Sequence, residues 1–153
     1  SYSIFMFHKR KFTPNNPNKY SGDPTNIIMR SSWETRFAMW CDVNPSVFKW
    51  KSEETVIPYI CGTDNKIHRY YPDFLVNLKN KEGILQTIMI EVKPKNQSIP
   101  PMLKEGQTTK NKKYIREVIL WGKNEAKWKA AQEYCKDRGW SFQVFTEEQI
   151  GIK

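Results

Sequence analysis

The sequence predicts an α/β (α+β) fold in which helices pack on a mixed β-sheet. Three observations predict it: a helical apolar stripe before residue 45, a hydrophobic period of two over residues 46–92, and a late amphipathic helix followed by a strand. The order is therefore helix, three strands, helix, strand. A length of 153 residues suits one domain with a substantial core, so we expect a single domain over residues 1–153.

The first thirty residues are expected to form an irregular, basic N-terminal arm. An apolar start, which fits a short strand at residues 3–7, is followed by the basic cluster HKRK and then by turn-forming residues from 13 to 26. Such an arm can pack over the core or contact phosphates. The sequence leaves both roles open.

The segment RSSWETRFAMWCD predicts the first helix. Ser31 or Ser32 can cap it, and Asn44-Pro45 ends it. Its apolar stripe consists of Trp33, Phe37, Trp40 and Cys41. Glu34 lies beside this stripe, one turn before Phe37.

Three β-rich runs follow at residues 47–60, 68–78 and 84–92. The turn-forming segments CGTDNK and KNKEG separate them, so we expect an antiparallel meander in which consecutive strands pair. Pro58 and Pro72 should occupy an edge, a bulge or the start of a strand.

The last third combines a proline-containing loop with a second predicted helix. Residues 94–111 favour a loop, and residues 112–121 a short helix or strand. The segment NEAKWKAAQEYCKDRG predicts a helix that ends at Gly139, with Trp128, Ala131 and Cys135 on one face. Residues 140–150 then predict a strand with a final turn. We expect four tryptophans to fill the core: Trp33, Trp40, Trp128 and Trp140.

The charge balance favours a polyanionic partner. Lys and Arg total 25 against 16 Asp and Glu, which gives a formal net charge of +9. No apolar run approaches the roughly 18 residues of a membrane span, and the start does not read as a signal peptide. Nucleic acid is therefore favoured over a membrane surface.

The cysteines are expected to be reduced and partly buried. Cys41, Cys61 and Cys135 are widely spaced and form no C-x-x-C pair. Only His8 and His68 could complete a structural zinc site, which would need scattered ligands.

Two short phrases, YYPDF and IEVK, carry the candidate chemistry. Glu91 and Lys93 share one face of a strand, and pairing through the KNKEG turn can bring Asp73 alongside them. Clustered carboxylates repel each other unless a cation joins them, and their hard oxygens suit Mg²⁺ or Mn²⁺. This arrangement favours phosphodiester hydrolysis, with Lys93 orienting or deprotonating water or neutralising charge in the transition state. The alternative is a solvated strand face with ordinary ion pairs.

Pro72-Asp73 followed by Glu91-Val92-Lys93 resembles the signature of the PD-(D/E)XK nucleases. The segments MRSSWETRF, HRYYPDF, IEVKPK and NEAKWKAAQEYCKDRGWSFQVFTEE extend the resemblance to the head completion nucleases of T-even-type tailed bacteriophages. The same spacing is similar to that of the TnsA-like endonucleases. The resemblance implies a restriction-endonuclease-like core, which is a four-stranded mixed sheet flanked by helices.

The resemblance also implies the site. Its catalytic residues would be Glu34, Asp73, Glu91 and Lys93, with Glu34 as the acid contributed by the preceding helix. Its metal-binding set would be Asp73, Glu91, Val92 and Glu34, with Mg²⁺ as cofactor and Mn²⁺ able to substitute.

The function implied by the resemblance is that of a metal-dependent DNA endonuclease or end-trimming nuclease. It would be a late protein that acts during phage head completion, after packaging and before tail attachment. Its partners would be double-stranded DNA, with ends or branches, and the capsid, portal and neck proteins. We expect a monomer in solution, present in the host cytoplasm during assembly and in the virion. The alternative is a non-catalytic DNA-binding protein of the head or neck with a nuclease-like fold.

Several basic residues are candidates for contacting the DNA backbone, and little sequence specificity is expected. They are Arg30, Arg69, Lys95, Lys112 and Lys113, with His68, Lys104, Lys110 and Arg116 as weaker candidates. Glu53 and Glu54 offer further carboxylates, for which a structural salt bridge is favoured over a ligand role.

Overall fold

The computed structural model describes residues 9–151, so the strand predicted at residues 3–7 lies outside the described part. Its strands are β1 (Arg10–Phe12), β2 (Ile27–Met29), β3 (Val47–Ser52), β4 (Ile57–Cys61), β5 (Lys66–Tyr70), β6 (Phe74–Lys79), β7 (Leu85–Val92) and β8 (Ser141–Phe145). Its α-helices are α1 (Ser32–Val43), α2 (Lys112–Asp137) and α3 (Glu147–Ile150), and 3₁₀ turns occur at Pro17–Lys19 and Lys95–Gln97. None of the helices in this range is both long and apolar enough to cross a membrane.

The central sheet has four strands in the order β3-β6-β7-β8. The first three strands are antiparallel to their neighbours, and β8 runs parallel to β7 after the α2 crossover. A parallel pair needs a long connection of this kind, which α2 supplies. The predicted four-stranded mixed sheet flanked by helices is therefore confirmed.

Hydrophobic cores lie on both faces of this sheet, because successive strand residues point to opposite faces. Val76 and Ile90 pack in the core that contains α1, whereas Leu75 and Met89 pack in the core that contains α2. Strand β7 is thus buried on both sides near its end, where the IEVK phrase begins.

The predicted antiparallel pairing of consecutive runs is confirmed, but the prediction that the first two runs are continuous strands is wrong. The run at 47–60 divides into β3 and β4, because the chain leaves the sheet at Glu53, whose φ of 53° is left-handed. Strand β4 then pairs with β5 in a separate two-stranded hairpin, closed by the CGTDNK turn. Pro58 lies in this hairpin, where its missing N–H is tolerated. Strand β3 pairs in the central sheet with β6, which is the second part of the run predicted at 68–78.

The N-terminal arm is more regular than predicted. Strands β1 and β2 pair with each other, and Phe12, Tyr20 and Ile27 are buried in the first core. The Trp50 ring lies 5.8 Å from that of Phe12 and 4.8 Å from that of Tyr20, both edge-on. The described part of the arm therefore packs over the core.

The first helix follows the prediction except at one tryptophan. Ser31 caps it, with its Oγ accepting a hydrogen bond from Glu34 N at 3.1 Å, and Asn44 follows its last turn. Trp33 is buried, but Trp40 is 43% exposed, so its place in the predicted stripe is wrong. The stripe is narrower than predicted, and Trp50 of β3 is the tryptophan that completes this core.

The late helix is longer than predicted. Helix α2 begins at Lys112, so residues 112–121 form its first turns, and Asn111 caps it through Tyr114 N. Gly139 follows the helix with a φ of 72°, which confirms its role as the left-handed stop. Trp128 is buried as predicted, whereas Trp140 is only partly buried.

Candidate active site

Asp73 and Glu91 face each other across two paired strands. Phe74 of β6 pairs with Ile90 of β7, which places Asp73, the residue just before β6, opposite Glu91. Asp73 Oδ2 accepts a hydrogen bond from Val92 N at 2.7 Å. The carboxylate of one strand is thus held on the backbone of the next.

Glu91 and Lys93 point toward α2. They alternate with Ile90 and Val92, which pack in the core on the α1 side. Lys93 Nζ lies 3.8 Å from Glu91 Oε2, and the Glu91 residue is only 5% exposed. Glu91 is therefore nearly enclosed, whereas the Lys93 side chain beside it on the same sheet face is partly exposed.

Glu34 enters from the first turn of α1 and is 5% exposed. The Ser31 hydroxyl donates to Glu34 Oε2 at 3.3 Å, so the cap also fixes this carboxylate. The other oxygen, Glu34 Oε1, is buried without a hydrogen-bond partner among residues 9–151. A buried carboxylate oxygen without a partner has an unfavourable free energy, and binding of a cation or a proton would reduce it.

Burial and neighbouring carboxylates raise the pKa values of Glu34 and Asp73. Burial, followed by the charge of Glu53 and with a smaller effect from Glu91, raises the pKa of Glu34 from 4.5 to about 7. Burial, followed by the charges of Glu91 and Glu34, raises the pKa of Asp73 well above its usual range. The Val92 N–H and Lys93 oppose this shift only in part. The three carboxylates therefore form one electrostatic unit.

A divalent cation fits this donor set. The oxygens are hard, one lacks a partner, and the acids destabilise one another in their ionised forms. The three carboxylates do not all lie within 4.8 Å of one another, so an ion would be held by one or two of them with waters completing its shell, as is common for Mg²⁺. The Val92 side chain is buried in the core, so Val92 could contribute only its backbone carbonyl.

A second group of metal-ligand types lies in the β4–β5 hairpin. Cys61, Asp64 and His68 bring one ligand atom each within 4.8 Å, which the sequence did not predict. All three already have partners in the turn: Cys61 Sγ lies 3.0 Å from Thr63 Oγ1, and Asp64 Oδ2 lies 2.8 Å from His68 Nε2. These hydrogen bonds within the turn explain why the three side chains lie close together. They also tie His68 to Asp64 rather than leaving it free for a phosphate.

The predicted DNA-contacting residues have different surroundings. Arg30 Nε lies 2.8 Å from Glu53 Oε1, and this ion pair forms next to the site because Glu53 follows β3. Lys95 Nζ lies 2.7 Å from Glu148 Oε1. The others, Arg69, Lys112 and Lys113, are exposed.

The sequence prediction missed two residues of the site, Tyr70 and Lys127. Tyr70 is 4% exposed, and burial, together with the charges of Glu91 and Asp73, raises its pKa. Lys127 reaches toward the site from α2, where Glu91 and Lys93 both act on its charge. The available signal was a lysine four residues before Ala131, within the inward stripe of the helix.

The mixed sheet, its flanking helices and the acids on paired strands define the restriction-endonuclease-like class of nuclease folds. The family model described as the TnsA-like endonuclease N-terminal domain matches residues 44–147, and the chain belongs to this family. The match contains Asp73, Glu91 and Lys93, whereas Glu34 precedes it.

A curated relative extends the similarity to nearly the whole chain. The chain is 41% identical over 146 residues to a protein of Enterobacteria phage T4 named "Head completion nuclease". The match covers 95% of this chain and 95% of the relative. The region around Glu34 is therefore included in a similarity that spans both proteins.

Proposed function

We propose that this protein is a Mg²⁺-dependent DNA nuclease that hydrolyses phosphodiester bonds during the completion of a phage head. The observation that carries the proposal is the group of Glu34, Asp73 and Glu91, whose burial disfavours three negative charges unless a cation is present. The name of the phage T4 relative supports the phage context. Trimming of DNA ends after packaging and before tail attachment is the step that we assign to it.

In this proposal the chain's own residues position the reaction. Asp73, Glu91 and Glu34 would hold the ion, with the Val92 N–H fixing the orientation of Asp73. When bound, Mg²⁺ supplies polarisation of the phosphodiester and a lowered pKa of a coordinated water. Lys93 would orient the attacking water and offset the negative charge that grows on the phosphoryl oxygens. Glu91, 3.8 Å from Lys93 Nζ, keeps that ammonium close to the site.

The partners follow from the same proposal. The substrate would be double-stranded DNA with an end or a branch, and the net charge of +9 would favour backbone recognition. Capsid, portal or neck proteins would be its assembly partners. The protein would act as a single domain and a monomer in the host cytoplasm during assembly, and would remain in the head or neck of the virion.

The direct test is cleavage of linear and branched duplex DNA with Mg²⁺ or Mn²⁺. We expect wild type to cleave, and Asp73→Ala and Lys93→Ala to lose at least about a hundredfold in rate, because each removes a charged group aimed at the reaction. Glu82→Ala is the matched control, since Glu82 is an exposed acid in the β6–β7 turn. Equal cleavage by wild type, Asp73→Ala and Lys93→Ala would overturn the assignment.

An assembly experiment separates a nuclease from a structural plug with the same fold. Heads that are assembled with Glu91→Ala should fail to accept tails if turnover is required. If these heads accept tails as well as wild-type heads do, the non-catalytic role is the correct one.

A further inference from the structure

Lys127 lies on the face of α2 that covers the candidate site. Its neighbour Trp128 and the residues Ala131 and Cys135 pack in the second core, against Met89 of β7. Glu91 and Lys93 follow Met89 on the same face of that strand. This face of α2 therefore lies against the face of β7 that carries Met89, Glu91 and Lys93. Lys127 lies toward the end of β7 that carries the two charged residues.

The Lys127 ammonium sits over two tyrosine rings beside the site. Nζ lies 5.8 Å from the ring centroid of Tyr70 and 5.9 Å from that of Tyr59. Burial, followed by the nearby charge of Lys93, lowers the pKa of Lys127, whereas Glu91 acts in the opposite direction. Lys127 and Lys93 are therefore both within electrostatic range of Glu91 and of each other.

Among the described residues, this half-buried ammonium has no ion-pair partner. No ion pair and no side-chain hydrogen bond joins Lys127 to another residue within residues 9–151. Both ring distances are close to the outer limit of about 6 Å for a cation–π interaction, so the rings compensate for only part of the lost hydration. A second cation, Lys93, adds repulsion. An anion placed between the two lysines would remove both costs.

We propose that Lys127 binds substrate in this site, and that its ammonium and that of Lys93 together hold the DNA phosphate next to the scissile bond. The inference rests on the proposed nuclease function for the identity of the anion. It differs from a contact made by an exposed lysine, because Lys127 is partly buried and is held over Tyr59 and Tyr70 rather than free in solvent.

The test compares Lys127→Met, Lys127→Arg and Lys129→Met. Methionine keeps most of the apolar stem of Lys127 while removing the charge, and arginine keeps the charge. Lys129 is the matched control, because it is exposed on the same helix two residues away. Lys127→Gln serves as a second neutral variant if the methionine variant does not fold.

The first measurement is binding of a labelled duplex as a function of salt, with EDTA present so that no cleavage occurs. If Lys127 contacts a phosphate, Lys127→Met weakens binding, and the slope of log K against log salt becomes shallower by about one. Lys127→Arg and Lys129→Met should keep the wild-type slope. A neutral variant of Lys127 with the wild-type slope and affinity but reduced thermal stability would overturn the proposal, and would leave Lys127 as a structural cap on the tyrosines.

The second measurement is cleavage with Mg²⁺. A contact next to the scissile bond should lower kcat by at least about tenfold in Lys127→Met, whereas a peripheral contact would raise KM alone and contradict the assigned position. Wild type and Asp73→Ala are measured beside it. Wild type that binds DNA without cleaving it would refute the nuclease function, while the salt slope would still decide whether Lys127 contacts phosphate.

Discussion

Glu34 is the residue at which burial and neighbouring negative charges combine to disfavour an ionised carboxylate. It is buried, it lies near the charges of Glu53 and Glu91, and its Oε1 has no partner in the described part of the chain. The Ser31 hydroxyl holds the carboxylate and lowers its pKa, which offsets these effects only in part. The folded protein without a divalent cation should therefore bind a proton at Glu34 more readily than the unfolded chain does.

Replacing this carboxylate should stabilise the protein at high pH. The pKa of Glu34 is about 7 in the folded state against 4.5 ordinarily, so wild-type stability from this group is full below pH 4.5 and is lost as the pH rises to 7. Glu34→Gln abolishes that loss. In EDTA, we expect the free energy of unfolding of Glu34→Gln to exceed that of wild type by roughly 3 kcal/mol at about pH 8, and to match it near pH 4.5.

Urea unfolding at several pH values measures this difference. Glu82→Gln is the control, because Glu82 is exposed in a turn and should leave the pH profile of wild type unchanged. A Glu34→Gln protein that loses stability between these pH values as steeply as wild type does would contradict the assignment of the shift to Glu34.

At the scale of elements, the sequence predicted the features that depend on interactions between residues close in the chain. The helix caps at Ser31 and Gly139 and the strand that ends in Glu91-Val92-Lys93 were all predicted, because each depends on neighbours in sequence. The division of residues 47–60 into β3 and β4 was not predicted. It depends on the left-handed conformation of Glu53, where the chain leaves the central sheet.

The candidate site divides in the same way. Asp73, Glu91 and Lys93 could be found from strand alternation and one turn, and Glu34 from its place in the resemblance. Lys127 could not be assigned, because its role depends on how α2 crosses the sheet. The Arg30–Glu53 ion pair also required the fold, since the strand break at Glu53 places that acid beside the site.

Two glycines of the α2 segment should respond to alanine with opposite signs. Gly139 has a φ of 72° and Gly122 lies inside the helix, and an added Cβ would meet no atom within 4 Å at either position. Backbone conformation alone therefore decides the outcome. We expect Gly139→Ala to destabilise the protein by about 1 kcal/mol and Gly122→Ala to stabilise it by about 0.5–1 kcal/mol.

Thermal or urea unfolding of the two variants under one condition makes this comparison. Each glycine serves as the control for the other, because both substitutions add the same methyl group. Changes of the same sign would show that the left-handed stop at Gly139 does not determine the end of α2.

At the scale of the whole molecule, the central sheet contributes both to the stability of the fold and to its destabilisation. Its two cores stabilise the fold on both faces, while the ends of β6 and β7 hold buried acids that destabilise it. A cation that binds only the folded state would offset this destabilisation, because its binding free energy adds to the free energy of unfolding of the entire domain. Global unfolding is therefore a sensitive measure of ion binding, even without DNA.

Millimolar Mg²⁺ should raise the melting temperature of wild type at about pH 8, where the carboxylates are most strongly ionised. A Mg²⁺ concentration a hundredfold above the dissociation constant would add about 2.7 kcal/mol to the free energy of unfolding, which corresponds to several degrees for a domain of this size.

Asp73→Asn should be more stable than wild type in EDTA, because it removes a buried charge, and should respond less to Mg²⁺. Asp64→Asn distinguishes the two groups of potential ligands, since Asp64 belongs to the hairpin turn with Cys61 and His68. We expect it to keep the full wild-type response. A response lost in Asp64→Asn and kept in Asp73→Asn would move the Mg²⁺ site from the sheet to the hairpin.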